Sequence, residues 1–430
     1  MDFSPSAQSA LWHRRARAFF ERFVLPHNAA WYQSVTDGVY PPPFLADLKA
    51  LAQDEGLWNL CLPGLPSDAP GTRLTNLEYA PIAEVLGRLP WASEVFNCQA
   101  PDSGNMELML RFGSPKQQQQ WLQPLLMGQI RSAFAMSEPD VASSDPTNLQ
   151  TTLHREGDHL VLQGRKWFIT GAAHPDCRLL IVMCRDATLA ANGDAQAHHQ
   201  HSLVLVPMDS PGLTQVRNIA MLHHLAPEGH CELLFENLRL PADALLGQAG
   251  DAFAMAQTRL GPGRLHHGMR SIGQCELALQ LACARLRERR AFNHYLASYS
   301  NMQDWVAQSR VAIDQARLLL LQTAWRLDQP ECDGYELRSA VAAVKLVSAQ
   351  LQSQVVERAL QIFGAMGLSP DTPLAYFWSW GRAMHVMDGP DEVHLRSIAR
   401  HELRRSQDDA QSLAAYFTTP EQMRQVPKVH

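Results

Sequence analysis

The hydrophobic pattern of this chain changes period twice. Up to about residue 133, and again from about 250 to 405, apolar residues recur three and four positions apart, as in PPFLADLKALAQDEGLW and PKQQQQWLQPLLMGQ. That spacing lays one face of a helix against a core. From about 134 to 247 the pattern gives way to short runs rich in Val, Leu and Ile: HLVLQG, RLLIVMC, SLVLVPM and CELLFENLRL. Gly, Pro, Asn and Asp separate these runs, so they read as strands. Long helical stretches at 263–292, 306–327 and 336–362, joined by short loops, suggest an antiparallel bundle. The expected division is α+β: an N-terminal helical domain (1–133), a middle β domain (134–247), a C-terminal helical bundle (248–410) and a tail (411–430).

With 430 residues the chain is long enough for several domains and a sizeable core. A net charge of −6, a pI near 6.3 and the lack of a Lys/Arg tract argue against nucleic-acid binding. No run reaches the roughly 18 apolar residues of a membrane span. The N-terminus lacks the apolar stretch of a signal peptide. The eight cysteines show no CxxC spacing and read as free, mostly buried thiols, which suggests a cytoplasmic protein. GxGxxG, Walker, GxSxG and HExxH patterns are absent, which argues against Rossmann oxidoreductases, P-loop enzymes, α/β-hydrolases and zincins.

Five stretches can carry chemistry. VMDGPDEVH (386–394) places Pro390, Asp391 and Glu392 where a helix start favours them. Asp388 lies just outside that start, as a general base or a solvated loop acid. FAMSEPDVASSDPTN (134–148) offers Ser137, Ser143 and free backbone amides to a phosphate or the edge of a polar ring, or is simply a turn. In GRKWFITGAAH (164–174), Trp167, Phe168 and Thr170 suit a flat heterocycle, or the aromatic pair is split between two strand faces. RERRAFNHY (287–295) ends a long helix, where arginines suit a phosphate or the helix dipole. GPGRLHHGMR (261–270) reads as a helix start, with Arg264 facing a carboxylate or a substrate phosphate. The His-rich stretch 186–201 reads as a loop, with His198, His199 and His201 exposed or metal-binding.

Taken together these stretches resemble the acyl-CoA dehydrogenase family over nearly the whole chain. MSEP resembles its (T/S)EP flavin loop, KWFIT its KxWIT segment, and LLFENLRLPADALLG (233–247) its FxNVxVPxxxxLG exit from the β domain. RERRAF resembles ERxxFG, QIFGAMG (361–367) resembles QxxGGxG, and MDGPDE resembles YEGTxQ. The resemblance implies a middle β-barrel-like domain between an N-terminal helical domain and a C-terminal four-helix bundle, with non-covalent FAD. It implies flavin contacts at Met136, Ser137, Phe168 and Thr170, with Ser143 near the pyrophosphate and Glu392 also at the FAD. Arg289, Phe292, Gln361 and Gly364 would reach the FAD of a neighbouring subunit, which implies a homodimer or homotetramer.

Asp388 matches the family's catalytic glutamate; the alternative base position before Arg264 is occupied by Gly263. The combination PDVASSD, GPGRLHH and DGPDEVH resembles a subgroup found in bacteria and in animal proteins fused to a kinase-like module. That subgroup is linked to 4-hydroxyacyl-CoA breakdown through 4-phosphorylated acyl-CoA. His385 departs from it, standing where arginine is expected. The implied reaction is α,β-dehydrogenation of an acyl-CoA, with Asp388 as base in a dry pocket that raises its pKa, Arg264 beside it, and hydride passing to flavin N5. Electron-transferring flavoprotein is the implied acceptor. The alternatives are an oxygen-using flavoenzyme of nitroalkane-oxidase or acyl-CoA-oxidase type, and a non-catalytic scaffold.

Overall fold

The computed structural model describes residues 6–191, 197–329, 334–406 and Tyr416. The expected tail lies outside these residues apart from Tyr416, as does Cys332. The N-terminal section is helical, with α1 (Ala7–Phe19), α2 (Phe44–Asp54), α3 (Asn76–Gly87) and α4 (Asp102–Phe112) as its longer elements. A reciprocal cap starts α3. Glu78 N–H donates to Thr75 Oγ1 at 3.2 Å, and Thr75 N–H donates back to the Glu78 carboxylate at 3.0 Å.

The middle section is a mixed sheet of β1 (Arg131–Ala135), β2 (Thr152–Glu156), β3 (His159–Thr170), β4 (Cys177–Asp186), β5 (His201–Pro207), β6 (Leu213–Asn218), β7 (His230–Pro241) and β8 (Leu245–Leu246). Its order is β6-β7-β3-β2-β4-β5-β8, with β1 also on β4. The β1–β4 and β2–β4 pairs are parallel and the others antiparallel. The C-terminal section holds α5 (Ala252–Glu288), α6 (Ser300–Leu327), α7 (Gly334–Phe363), α8 (Leu374–Met384) and α9 (Asp391–Arg405).

One apolar core runs unbroken through both helical sections, from Ala16 and Leu86 to Ile272, Val356 and Phe377; Leu162, Val182 and Phe235 belong to a second core within the sheet. Each such Leu, Ile or Phe side chain contributes about 1.5–3 kcal/mol. The helical sections are joined where α3 crosses α5. There Gly273 meets the Glu84 backbone, and an added Cβ would overlap its carbonyl.

Three local expectations are corrected. GPGR does not open a helix: α5 starts at Ala252, and Pro262 lies inside it. An interior proline costs about 3 kcal/mol. Met255, Ala256, Leu260, Leu265 and Met269, all buried around it, offset that cost. His201 is not on the loop but begins β5, where it is buried. Trp167 and Phe168 do not alternate across a regular strand. The β3–β7 register shifts between Lys166 and Ile169, and Phe168 is left-handed at φ +52°.

Candidate active site

The turn between α8 and α9 presents Asp388. Asp388 and Gly389 both have positive φ, +53° and +94°, so the chain reverses sharply. Asp tolerates the left-handed region better than most residues. Gly389 is needed twice over, because a Cβ there would also lie 3.1 Å from His394 Nε2. Two side chains hold the turn by its carbonyl. Arg264 Nε donates to the Asp388 oxygen at 2.9 Å, and His394 Nε2 lies 3.2 Å from it. Among the described residues neither the Asp388 N–H nor its Oδ1 has a hydrogen-bond partner.

Asp388 faces α5. His267 Nε2 lies 3.5 Å from Asp388 Oδ2. Arg259, Gly263 and His267 are spaced i, i+4, i+8 and so share one helix face. A Cβ added at Gly263 would meet nothing within 4 Å, so there is room between the arginine and the histidine. Arg259 is fixed from the other side. Its Nε donates to Asn105 Oδ1 at 2.9 Å and its guanidinium lies 4.3 Å from the Phe134 ring centroid. Asn105 donates on to Ser132 Oγ at 2.9 Å, and Ser132 to Asp102 at 2.6 Å. Asp102 is paired with buried Arg131, which also binds Glu94 at 2.6 Å.

Burial alone would raise the Asp388 pKa. His267 when protonated, and the charged Arg264, Arg259 and Lys345, outweigh it and hold the carboxyl below its ordinary value. The expected upward shift is therefore corrected for the free protein. Burial, aided by Arg270, lowers His267 to about 4, so its ring is neutral at pH 7. Lys345 is buried and donates to Asp391 Oδ1 at 3.0 Å. Asp391 Oδ2 meets His385 Nδ1 at 2.5 Å, and His385 Nε2 meets Ser353 Oγ at 3.0 Å. Asp391 is thus more than a helix-start acid. A cavity of about 730 Å³ opens beside this chain, lined by Ser353, Arg382, His385, Asp391 and Glu392.

The segment around Met136 and Ser137 is pinned to β3. Lys166 Nζ, fully buried, donates to the Met136 carbonyl and to Glu138 Oε1, both at 2.8 Å. Trp167 N–H donates to the Ser137 carbonyl at 3.0 Å. Glu138 also accepts the N–H groups of Gln150 and Thr151 at 2.7 and 2.9 Å. Burial pushes Glu138 up, but Lys166 and these amides pull it below its ordinary value. Ser143 Oγ closes the loop by accepting Glu138 N–H at 2.8 Å. Thr170 Oγ1 lies 3.0 Å from His230 Nδ1 at the end of β3. Phe168 is 43 % exposed and meets Trp167 edge-on at 5.0 Å. A strained, exposed aromatic beside a half-buried serine fits the face and edge of a flat ring such as a flavin.

The remaining predicted residues lie elsewhere. Arg289 caps α5, and Phe292 occupies the turn of a small hairpin whose strands are Arg290–Ala291 and His294–Tyr295. Gln361 is on the last turn of α7 and Gly364 follows that helix. All four are exposed. Arg285 lies over the Phe363 ring at 5.6 Å, so the two segments share one end of the bundle. Glu392 is exposed on the first turn of α9. Among the described residues no cluster of His, Cys, Asp or Glu fits a metal ion, and no helix is long and apolar enough to cross a membrane.

Sequence reading missed Arg259, His267 as a neighbour of Asp388, Lys345 and His230. The i, i+4, i+8 spacing of Arg259, Gly263 and His267 is the available signal, and a helix start placed at Pro262 hides it.

Comparison with known proteins follows the same three-part division. Family models described as acyl-CoA dehydrogenase N-terminal, middle and C-terminal domains match residues 6–129, 133–238 and 250–403. A Mycobacterium tuberculosis protein named as a probable acyl-CoA dehydrogenase, FadE2, is 48% identical over 94% of this chain and 98% of its own. Human acyl-CoA dehydrogenase family member 11 is 42% identical over 93% of this chain; the match spans 50% of that longer protein. A solved Mycobacterium abscessus structure superposes with a TM-score of 0.87 at 45% identity, covering 94% of this chain and 99% of that one.

Proposed function

The chain belongs to the acyl-CoA dehydrogenase family of FAD-dependent oxidoreductases, and from that premise we propose that it desaturates an acyl-CoA thioester at the α,β bond with Asp388 as the base. The observation that carries this reading is the Asp388 turn. A carboxylate oxygen and the backbone N–H of the same residue are both without protein partners among the described residues, and both belong to a turn fixed by Arg264 and His394. The carboxylate takes the α-proton. The N–H donates to the thioester oxygen, where negative charge develops as the proton leaves. Gly263 leaves room for the thioester between Arg259 and His267.

FAD, when bound, supplies the acceptor for the β-hydride. Met136, Ser137, Phe168 and Thr170 are the residues to hold its ring, Ser143 its pyrophosphate, and Glu392 its more distant part. Arg289, Phe292, Gln361 and Gly364 serve a neighbouring copy's FAD, so the working form is a homodimer or homotetramer. The exposure of all four supports this. Domain boundaries at 133/134 and 247/248, electron-transferring flavoprotein as acceptor and a cytoplasmic location complete the proposal. The cations Arg259 and Lys345 near Asp388 support an acyl chain with a polar substituent, such as a 4-hydroxy or 4-phospho group.

The low basicity of Asp388 favours one second reading, since a weak base suits a more acidic substrate such as a nitroalkane. Anaerobic titration of the FAD-loaded protein with butyryl-, octanoyl- and 4-phosphovaleryl-CoA separates the two. Bleaching of the flavin band by one of them is expected. A clear flavin spectrum that none of them bleaches, with fast reoxidation by oxygen after nitroalkane reduction, would replace the dehydrogenase reading. Asp388→Asn should bind thioester without bleaching; if it still bleaches, Asp388 is not the base.

A further inference from the structure

His267 is held by two neighbours whose hydrogen-bonding capacities differ. Arg270 contacts Nδ1 at 2.9 Å. A guanidinium has only donors. Nδ1 therefore presents its lone pair, and the ring proton of the neutral imidazole sits on Nε2. Nε2 is the atom that faces Asp388 Oδ2, 3.5 Å away. The ring is also set by Trp380, whose centroid lies 6.1 Å off. His267 is thus a hydrogen-bond donor aimed at one oxygen of the carboxylate, while the other oxygen has no protein partner among the described residues.

We infer that His267 is a positioning residue for the base: its Nε2–H, fixed as a tautomer by Arg270, turns the Asp388 carboxylate so that Oδ1 faces the substrate. This rests on Asp388 being the base. Aspartate is one methylene shorter than the glutamate it stands in for, so its oxygens have less reach and depend more on side-chain rotation. Misplacement of about 1 Å costs on the order of a hundredfold in rate. The 3.5 Å separation is longer than a formed hydrogen bond of about 2.7–3.2 Å; catalytic contacts of this kind tighten when substrate binds. His267 does not relay the proton. Nε2 already carries one, and Nδ1 is occupied by Arg270. The α-proton stays on Asp388, and no bond to His267 forms or breaks.

Two measurements test this. The first needs neither substrate nor activity: nitrogen-15 spectra of histidine-labelled holoprotein, with the His267 signal assigned by its loss in His267→Gln. A neutral Nε2–H tautomer is expected at pH 7, becoming a mixture of tautomers in Arg270→Met. A neutral Nδ1–H ring or a charged ring in the wild type overturns the inference. The second is the anaerobic flavin-bleaching rate with the acyl-CoA of the three above that reacts fastest. His267→Leu should slow bleaching about ten- to a hundredfold with little change in thioester affinity. His267→Gln, which keeps a donor at the same reach, should recover most of that loss. Equal rates for Leu, Gln and wild type defeat the positioning role while leaving Asp388 as base, which Asp388→Asn reports separately. If none of the three acyl-CoAs bleaches the flavin, the tautomer spectrum still decides.

Discussion

Arg264 grips the backbone of Asp388 and not its carboxylate: Nε donates to the carbonyl oxygen at 2.9 Å. The arginine therefore sets where the turn stands, and its charge helps keep the carboxyl ionised. Arg264→Met should leave the flavin spectrum of the loaded protein intact and slow acyl-CoA-dependent bleaching about ten- to a hundredfold. Arg264→Lys should not restore the rate, because a compact ammonium on a flexible stem does not reproduce the fork. Stopped-flow bleaching measures both variants; a lysine variant as fast as wild type would show that only charge matters.

The depressed Asp388 pKa fixes the shape of the pH–rate profile. A carboxyl held below its ordinary value is ionised in the free protein throughout about pH 5–8. His267 and His394, each lowered to about 4 with burial the largest cause, stay neutral over the same range. For the free enzyme, kcat/KM should thus show no acid limb from Asp388 between about pH 8 and 5. A limb with a midpoint near about 6.5 that disappears in His267→Gln would contradict this.

Those histidines act on stability in the opposite direction from a salt-bridged one. His266, His267 and His394 have folded-state pKa values of about 3, 4 and 4, against 6.5 when exposed. Below about pH 6.5 the unfolded chain binds protons that the folded chain does not, so stability is full above that pH and falls as the pH drops. Each contributes on the order of 1 kcal/mol of loss per pH unit down to its folded value. Urea midpoints at about pH 7 and about pH 5.5 should differ clearly. His266→Leu, which replaces a ring buried edge-on against Tyr79 at 5.2 Å, should reduce that difference.

Lys166 and Glu138 form a buried pair that ties the Met136–Ser137 segment to β3. Breaking such a pair from one side leaves an uncompensated charge and costs about 3–5 kcal/mol. Lys166→Met should lose stability on that scale and release FAD more readily. Adding Glu138→Gln removes the stranded charge and should recover much of the stability without the FAD affinity. Denaturation curves and flavin content after gel filtration measure the two effects separately.

The order helical, β, helical was legible because period is a property of neighbouring residues. The loop before β2, the aromatic pair on β3 and the Asp388 turn were legible as places where chemistry can sit. What the sequence hid was long-range. Arg259 meets Asp388's surroundings across 129 positions, and Lys345 meets Asp391 across 46. Nothing local marks either cation, since an arginine or lysine on a long helix reads as solvated. Pro262 misled in the other direction: its local cost is real, but burial around it decides the helix.

Phe292 is the residue whose placement makes least sense for one chain alone. It is 91 % exposed and has φ +50°, followed by Asn293 at φ +64°. Two consecutive left-handed residues define the hairpin turn that favours Asn-Gly, and a bulky residue there costs about 1–2 kcal/mol. A strained aromatic in water weakens the isolated fold, a cost that the proposed contact with a neighbouring copy's FAD would offset. Phe292→Gly should relax the turn and leave the folded chain at least as stable. It should also weaken association and speed FAD loss, as seen by light scattering on a sizing column and by flavin retention. If the variant keeps both the mass and the flavin of the wild type, Phe292 has no role across the subunit boundary.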